Sequence, residues 1–256
     1  MSKYKSFMKR VKNPSDSLFV IHYSCQSLND DNEGLSPRIT SIAVSRFSND
    51  QTVSFSIHAI AEELGFERAD VFTNIDKIEM KLLDRFNDFI KERRGYTWVH
   101  WNMRNSTYGF EHIEHRYRVL HHSDMVNIPI ENRENLNDVL VDRFGSGYAA
   151  DPKMKSLMEL NDKTHKVHRD FLTGLEEVDA FKSSEFIKVH KSTLCKVGFF
   201  TKVITRLEKG GLKTSSKGIG VMVDRILESR HSKVIALIAG VMSLPVALYQ
   251  GYVWFN

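Results

Sequence analysis

The chain has 256 residues, 41% of them hydrophobic and 27% charged, and a formal net charge of +4. That is enough chain for a sizeable core in one large or two small domains, with the composition of an ordinary globular protein. Two cysteines, Cys25 and Cys195, exclude a disulfide framework and a zinc-ligand spacing, and fit a reducing cytosolic setting for the bulk of the chain.

Residues 1–17 form a basic opening segment that lacks the long apolar run of a signal peptide. Residues 18–24 are a short apolar run between polar turns, which predicts a buried strand. Residues 38–47 and 52–58 alternate Ile, Val, Thr and Phe with polar positions around Ser48, Asn49 and Asp50, which predicts a hairpin. Ile75, Ile78, Leu82, Phe86, Phe89 and Ile90 then recur at helical spacing and define an amphipathic helix ending near Arg94 and Gly95. Another strand is expected over 96–100 and a helix over 108–120. This order, a three-strand meander, a crossover helix and a further parallel strand, predicts an α/β fold with an RNase H-like mixed sheet. Short helices come next at 138–144 and 153–160, then a mostly helical stretch over 171–206 with a break near Ser192 and Thr193. A polar, Gly-containing connector occupies 208–218.

Charge is concentrated late in the chain. Between Lys182 and Lys233 twelve Lys and Arg face four acidic residues, a local excess of +8. Such a stretch suits either the surface of an anionic membrane or a phosphate backbone. Residues 234–255 are 22 in number and carry no charge; as a helix they would extend roughly 33 Å, enough to cross a hydrocarbon core of about 30 Å. Arg225, Arg230, His231 and Lys233 flank one end, and Tyr249, Tyr252 and Trp254 the other. The expectation is a single-pass C-terminal anchor in the inner membrane, with the main domain cytoplasmic. One span cannot enclose a pore, so any channel requires several copies. Small Gly240 and Ser243, with Ala239 and Ala247, would permit close helix packing; Pro245 would kink the span and Gln250 is its strongly polar side chain.

The chemistry-bearing positions cluster around the first strand. It ends Tyr23, Ser24, Cys25, Gln26, and the strand over 96–100 leads into Trp101, Asn102, Met103, Arg104, Asn105 and Ser106; His165 and Asp170 are five positions apart. In this pattern residues 18–180 resemble the 3′–5′ exonucleases of the DEDD superfamily. Those enzymes carry Asp-x-Glu at the end of strand one, a second motif after a later strand and His-x4-Asp on a late helix. Their four carboxylates hold two Mg²⁺ ions. Under that resemblance Ser24 and Gln26 stand where the first Asp and Glu would be, Asn105 or Ser106 replaces a third carboxylate, and only His165 to Asp170 keeps its spacing. No catalytic residue, metal or cofactor is therefore expected. Ser24 and Gln26 are expected to line a groove, with His22 pointing away or alternating beside them. Tyr23, Trp101, Asn102, Arg104, His165, His168 and Arg169 would surround it and grip a nucleic-acid strand by stacking and phosphate contact.

An emptied exonuclease-like domain (18–177), a basic helical linker or oligomerisation region (178–232) and a terminal transmembrane helix (233–256) together resemble the HalA effector family of the Hailong anti-phage defence systems. The resemblance implies a sensor that binds a single-stranded DNA oligomer made by a partner nucleotidyltransferase. It further implies a homo-oligomeric channel, tetrameric in that family, which the bound DNA holds closed. Two other functions stay open: an active membrane-tethered exonuclease drawing ligands from Asp16, Asp124, Asp170 or Asp179, and a tail-anchored interaction protein without nucleic-acid binding.

Overall fold

The computed structural model describes residues 2–13, 17–27, 36–104 and 106–215. The terminal apolar segment with Gly240, Ser243, Pro245 and Gln250 lies outside these residues, as do Asp16 and Asn105. Among the described residues no helix is long and apolar enough to cross a membrane.

The sheet is built from β1 (Leu18–Cys25), β2 (Ile39–Arg46), β3 (Thr52–Ser56), β4 (Thr97–His100) and β5 (Arg133–Asn135), in spatial order β3-β2-β1-β4-β5. β2 pairs antiparallel with both β1 and β3, while β4 is parallel to β1 and β5 to β4. A meander with parallel additions on the far side of β1 is compatible with an RNase H-like sheet. The expected meander, crossover helix and fourth strand are all present. The three-residue β5 has no counterpart among the expected elements, since Arg-Glu-Asn shows neither an apolar run nor alternation.

β1 is buried along its whole length, so its side chains feed two cores. Phe19, Ile21, Tyr23 and Cys25 pack with α2 (Ile57–Glu63), α3 (Ile75–Lys91) and α4 (Phe110–His121). Leu18 and Val20 pack on the other side with α1 (Lys3–Val11), α5 (Leu136–Phe144), α6 (Lys153–Asn161) and the later turns of α8 (Phe186–Glu208). In sequence α1 shows only as a basic segment, because Lys3, Lys5, Lys9 and Arg10 outnumber the Phe7 and Met8 that it buries. α2 begins inside the expected second strand of the hairpin, which is therefore shorter than its sequence pattern suggests.

α7 (Gly174–Lys182) opens with a capping box, Thr173 and Glu176 each satisfying the other's backbone. The break in the late helical stretch falls at residues 183–185, where Ser184 adopts φ 58°, and not at Ser192 and Thr193, which lie inside α8. α8 lies across β2 and β1. Small, buried Ser41, Ala43 and Ser45 on β2 let it approach closely. The segment expected as a linker therefore supplies, up to Glu208, a core helix of the sheet domain.

Candidate functional site

Ser24, at the tip of β1, is 1% exposed. Its hydroxyl donates to Oε1 of Glu177 at 3.0 Å and meets Oγ1 of Thr193 at 2.8 Å. The same carboxylate oxygen accepts from the Ser192 hydroxyl at 2.7 Å and from the Lys196 ammonium at 2.6 Å. All five side chains are buried. Glu177 comes from α7, and Ser192, Thr193 and Lys196 come from α8, so the helical hairpin clamps a charged pair onto the strand tip. Three donors converging on one carboxylate oxygen compensate the loss of water that burial imposes on both charges.

His22 shares this side of the sheet with Ser24 and does not point away. Its ring packs edge-on to Phe200 of α8, and its Nδ1 lies 3.2 Å from the Tyr108 hydroxyl. Burial, with the neighbouring Lys196 ammonium, holds the imidazole well below its usual range, so it is neutral. Tyr108 also donates to the carbonyl of Tyr23, and the two tyrosine rings stack at 4.5 Å. Burial pushes the Cys25 thiol up to about 12, so it is not a nucleophile.

The expected groove is thus not assembled from the expected residues. Gln26 lies just beyond the end of β1, and its amide donates to the Arg38 carbonyl at 2.8 Å. Its side chain accepts from Arg38 at 3.3 Å. Tyr23 is buried in the opposite core, its hydroxyl accepting from the Gly109 amide and paired with His112. Trp101 is a core side chain, 5% exposed and stacked on Phe200 at 5.5 Å, not a platform for bases. Asn102 is exposed and takes a left-handed backbone, φ 54°, fixed by reciprocal bonds with Asn135. Arg104 is exposed, but its guanidinium is committed to Asp138 and to Asn102.

His165, His168 and Arg169 are exposed, yet they sit in an irregular segment between α6 and α7 rather than on a late helix. Asp162 ends α6 by accepting from the Thr164 amide at 2.7 Å, an Asx turn that diverts the chain, and His165 adopts φ 54° just beyond it. His168 lines a cleft of about 210 Å³ between α6 and α8, whereas Arg169 and Asp170 line a different cleft of about 700 Å³ beside α2 and the start of α8. The helix lying over the tip of β1 is α8, and the residues it presents there are Thr193 and Lys196.

Sequence reasoning misses Glu177, Ser192, Thr193 and Lys196. One signal is present: Lys196 interrupts a helical stripe of Val189, Ser192, Thr193, Val197, Phe200, Val203, Ile204 and Leu207, all buried in the structure. A lysine there needs an internal anion. Among the described residues no group of three or more His, Cys, Asp and Glu side chains could hold a metal ion. Asp124, a candidate ligand for an active enzyme, instead pairs with Arg118 at the surface.

The sheet and site define an α/β domain with a five-stranded mixed sheet and a sealed polar cluster at the tip of its first strand. Compared with known proteins, the chain matches no family model, no curated protein and no solved structure.

Proposed function

We propose that this chain is a membrane-tethered nucleic-acid sensor, built on an exonuclease-like domain that binds a single-stranded DNA oligomer without cutting it. The observation that carries the reading is the Lys196 ammonium, held 2.6 Å from the Glu177 carboxylate beneath Ser24. Two-metal hydrolysis needs several anionic oxygens around a pair of divalent cations. At the strand tip a fixed internal cation meets a single carboxylate instead, and α8 closes the space over it.

A domain that does not hydrolyse its ligand can use binding energy to bias an equilibrium. In the proposed sensor the apolar segment 234–255 anchors several copies, and the bound oligomer favours the closed channel by its differential affinity for that state. A partner nucleotidyltransferase supplies the oligomer, and its loss opens the assembly. The excess of basic residues between Lys182 and Lys233 supports an anionic ligand or membrane surface near this end of the chain.

The test is incubation of the detergent-solubilised chain with an end-labelled single-stranded oligonucleotide and Mg²⁺ or Mn²⁺. Salt-dependent binding with intact oligonucleotide is expected. Metal-dependent shortening of the strand would overturn the reading in favour of a nuclease, and absence of binding in favour of a plain interaction protein.

A further inference from the structure

We infer that the cleft between α6 and α8 seats the phosphate backbone of the bound strand, which lies against the bare helix surface at Gly198. The inference rests on the proposed nucleic-acid ligand and locates it. Four basic side chains line this cleft: Lys166, His168, Lys202 and Arg206. The acid among its lining residues is Asp162, whose Oδ1 is already occupied by the Thr164 amide and hydroxyl. Lys166, His168 and Lys202 are exposed. His168 accepts the Asp170 amide on Nδ1, so its neutral form carries the proton on Nε2 as a donor. The volume, about 210 Å³, exceeds that of one phosphate and leaves room for the adjoining sugar.

Gly198 supplies the second, independent observation. It sits near the middle of a 23-residue helix, where glycine is the poorest choice after proline. Nothing lies within 4 Å of where its Cβ would be, so no packing among the described residues requires a glycine there. A flat helix surface facing a basic cleft is what close approach of a ligand backbone calls for. Phe199 and Val203 beside it give the cleft an apolar floor for sugar or base.

The cleft also touches the joint by which the described chain runs on toward residue 216. Arg206 donates to the Asn161 carbonyl, and the Asn161 side chain binds both the amide and the carbonyl of Lys213 at 3.0 and 2.9 Å. A phosphate drawn to Arg206 competes with the bond that Arg206 makes to Asn161, whose side chain fastens this strap.

The test uses the full chain in mild detergent and the fluorescence anisotropy of a labelled oligothymidylate, titrated at several salt concentrations. The paired charge reversal Lys166→Glu with Lys202→Glu is expected to weaken binding at least about tenfold at low salt. It should also flatten the salt dependence by about 1.4 in logarithmic slope, two single-strand phosphate contacts. Gly198→Leu is expected to raise the melting temperature while weakening binding, because a better helix former fills the ligand's path. Lys5→Glu with Lys9→Glu, on α1 outside the lining of this cleft, makes the same change in net charge and should change binding little. If the wild-type chain binds and these variants bind equally well, the cleft is not the site, although the sensor reading stands. If the wild-type chain itself does not bind, both fall.

Discussion

Replacing Lys196 by methionine isolates the interaction on which the proposed loss of hydrolysis depends. The ammonium-bearing residue is 5% exposed and its partner Glu177 6%, so the substitution strands a carboxylate in the core. Breaking a buried pair from one side costs about 3–5 kcal/mol. Here the Ser24 and Ser192 hydroxyls still donate to the same oxygen, which places the expected cost near the lower limit, about 3 kcal/mol. Methionine keeps the length of the side chain and its contact with the Phe171 ring, over which the ammonium now sits at 5.4 Å, so little cavity is added. For a chain of this size the melting temperature should drop roughly 6–12 °C. Removing both charges, Lys196→Met with Glu177→Gln, should recover most of that loss, because the remaining amide is neutral. Thermal unfolding monitored by tryptophan emission reads the event directly, since Trp101 stacks on Phe200 of the same helix. A single variant within about 1 kcal/mol of wild type, or a double variant equal to the sum of the singles, would show that the pair is not coupled.

Three further outcomes are expected. Restoring carboxylates by Ser24→Asp with Gln26→Glu should create no Mg²⁺ site detectable by titration calorimetry, because Lys196 stays in place and Gln26 is turned toward Arg38; heat of Mg²⁺ binding with Lys196 intact would contradict this. Stability should fall on acidification: burial lowers His100 to about 3, His112 to about 4 and His22 well below the usual value. The unfolded chain, with histidines near pKa 6.5, binds more protons than the folded one as pH falls from that value. Each such group removes up to about 1.4 kcal/mol per pH unit between the unfolded and folded values, partly offset by Glu79, which burial pushes up. Equal melting temperatures at about pH 7.5 and about pH 5 would refute the assignment of these histidines as neutral and buried. Asn161→Ala should loosen residues 209–215, seen as faster tryptic cleavage after Lys213 with little change elsewhere in the domain; unchanged cleavage would mean that Asn161 does not fasten the strap.

What can be read from the sequence comes from periodicity. The stripe of Ile75, Ile78, Leu82, Phe86 and Ile90 defines α3, and the apolar run of β1 defines the central strand. Both are set locally, by which faces must be buried. The site is less legible because its geometry is not local. Ser24 and Glu177 are 153 positions apart, and only the docking of α7 and α8 brings them together. The expected pairing of Ser24 with Gln26 on one face assumes that the strand runs on, whereas β1 ends at Cys25 and the Gln26 side chain is drawn to Arg38. Spacing also misleads at His165 to Asp170, where five positions would fit a helix, but the Asx turn at Asp162 has already ended it. Trp101 reads as a stacking platform because exposure cannot be inferred from residue type, and nothing in the local sequence shows that Phe200 covers it.

The buried lysine also bears on where a ligand can lie. A strand crossing the tip of β1 would have to displace α8, which fills that space with Thr193, Lys196 and Phe200. Displacing it would expose the Glu177 pair and the Trp101 stack together, a cost that a few phosphate contacts do not offset. A strand bound with α8 in place therefore lies off the tip of β1, and in the proposed cleft it meets what α8 presents outward. One stripe of that helix faces the sheet; the stripe through Gly198 and Lys202, turned toward α6, faces the basic cleft. On the proposed reading the inner face of α8 seals the tip of β1 and its outer face lines the ligand cleft. Changes that loosen its inner face should then weaken binding in proportion to the fraction of chains in which α8 is detached. Lys196→Met measured near its own melting range, compared with the same variant well below it, provides that comparison. Affinity independent of temperature relative to melting would separate the two faces of α8 and place the ligand elsewhere.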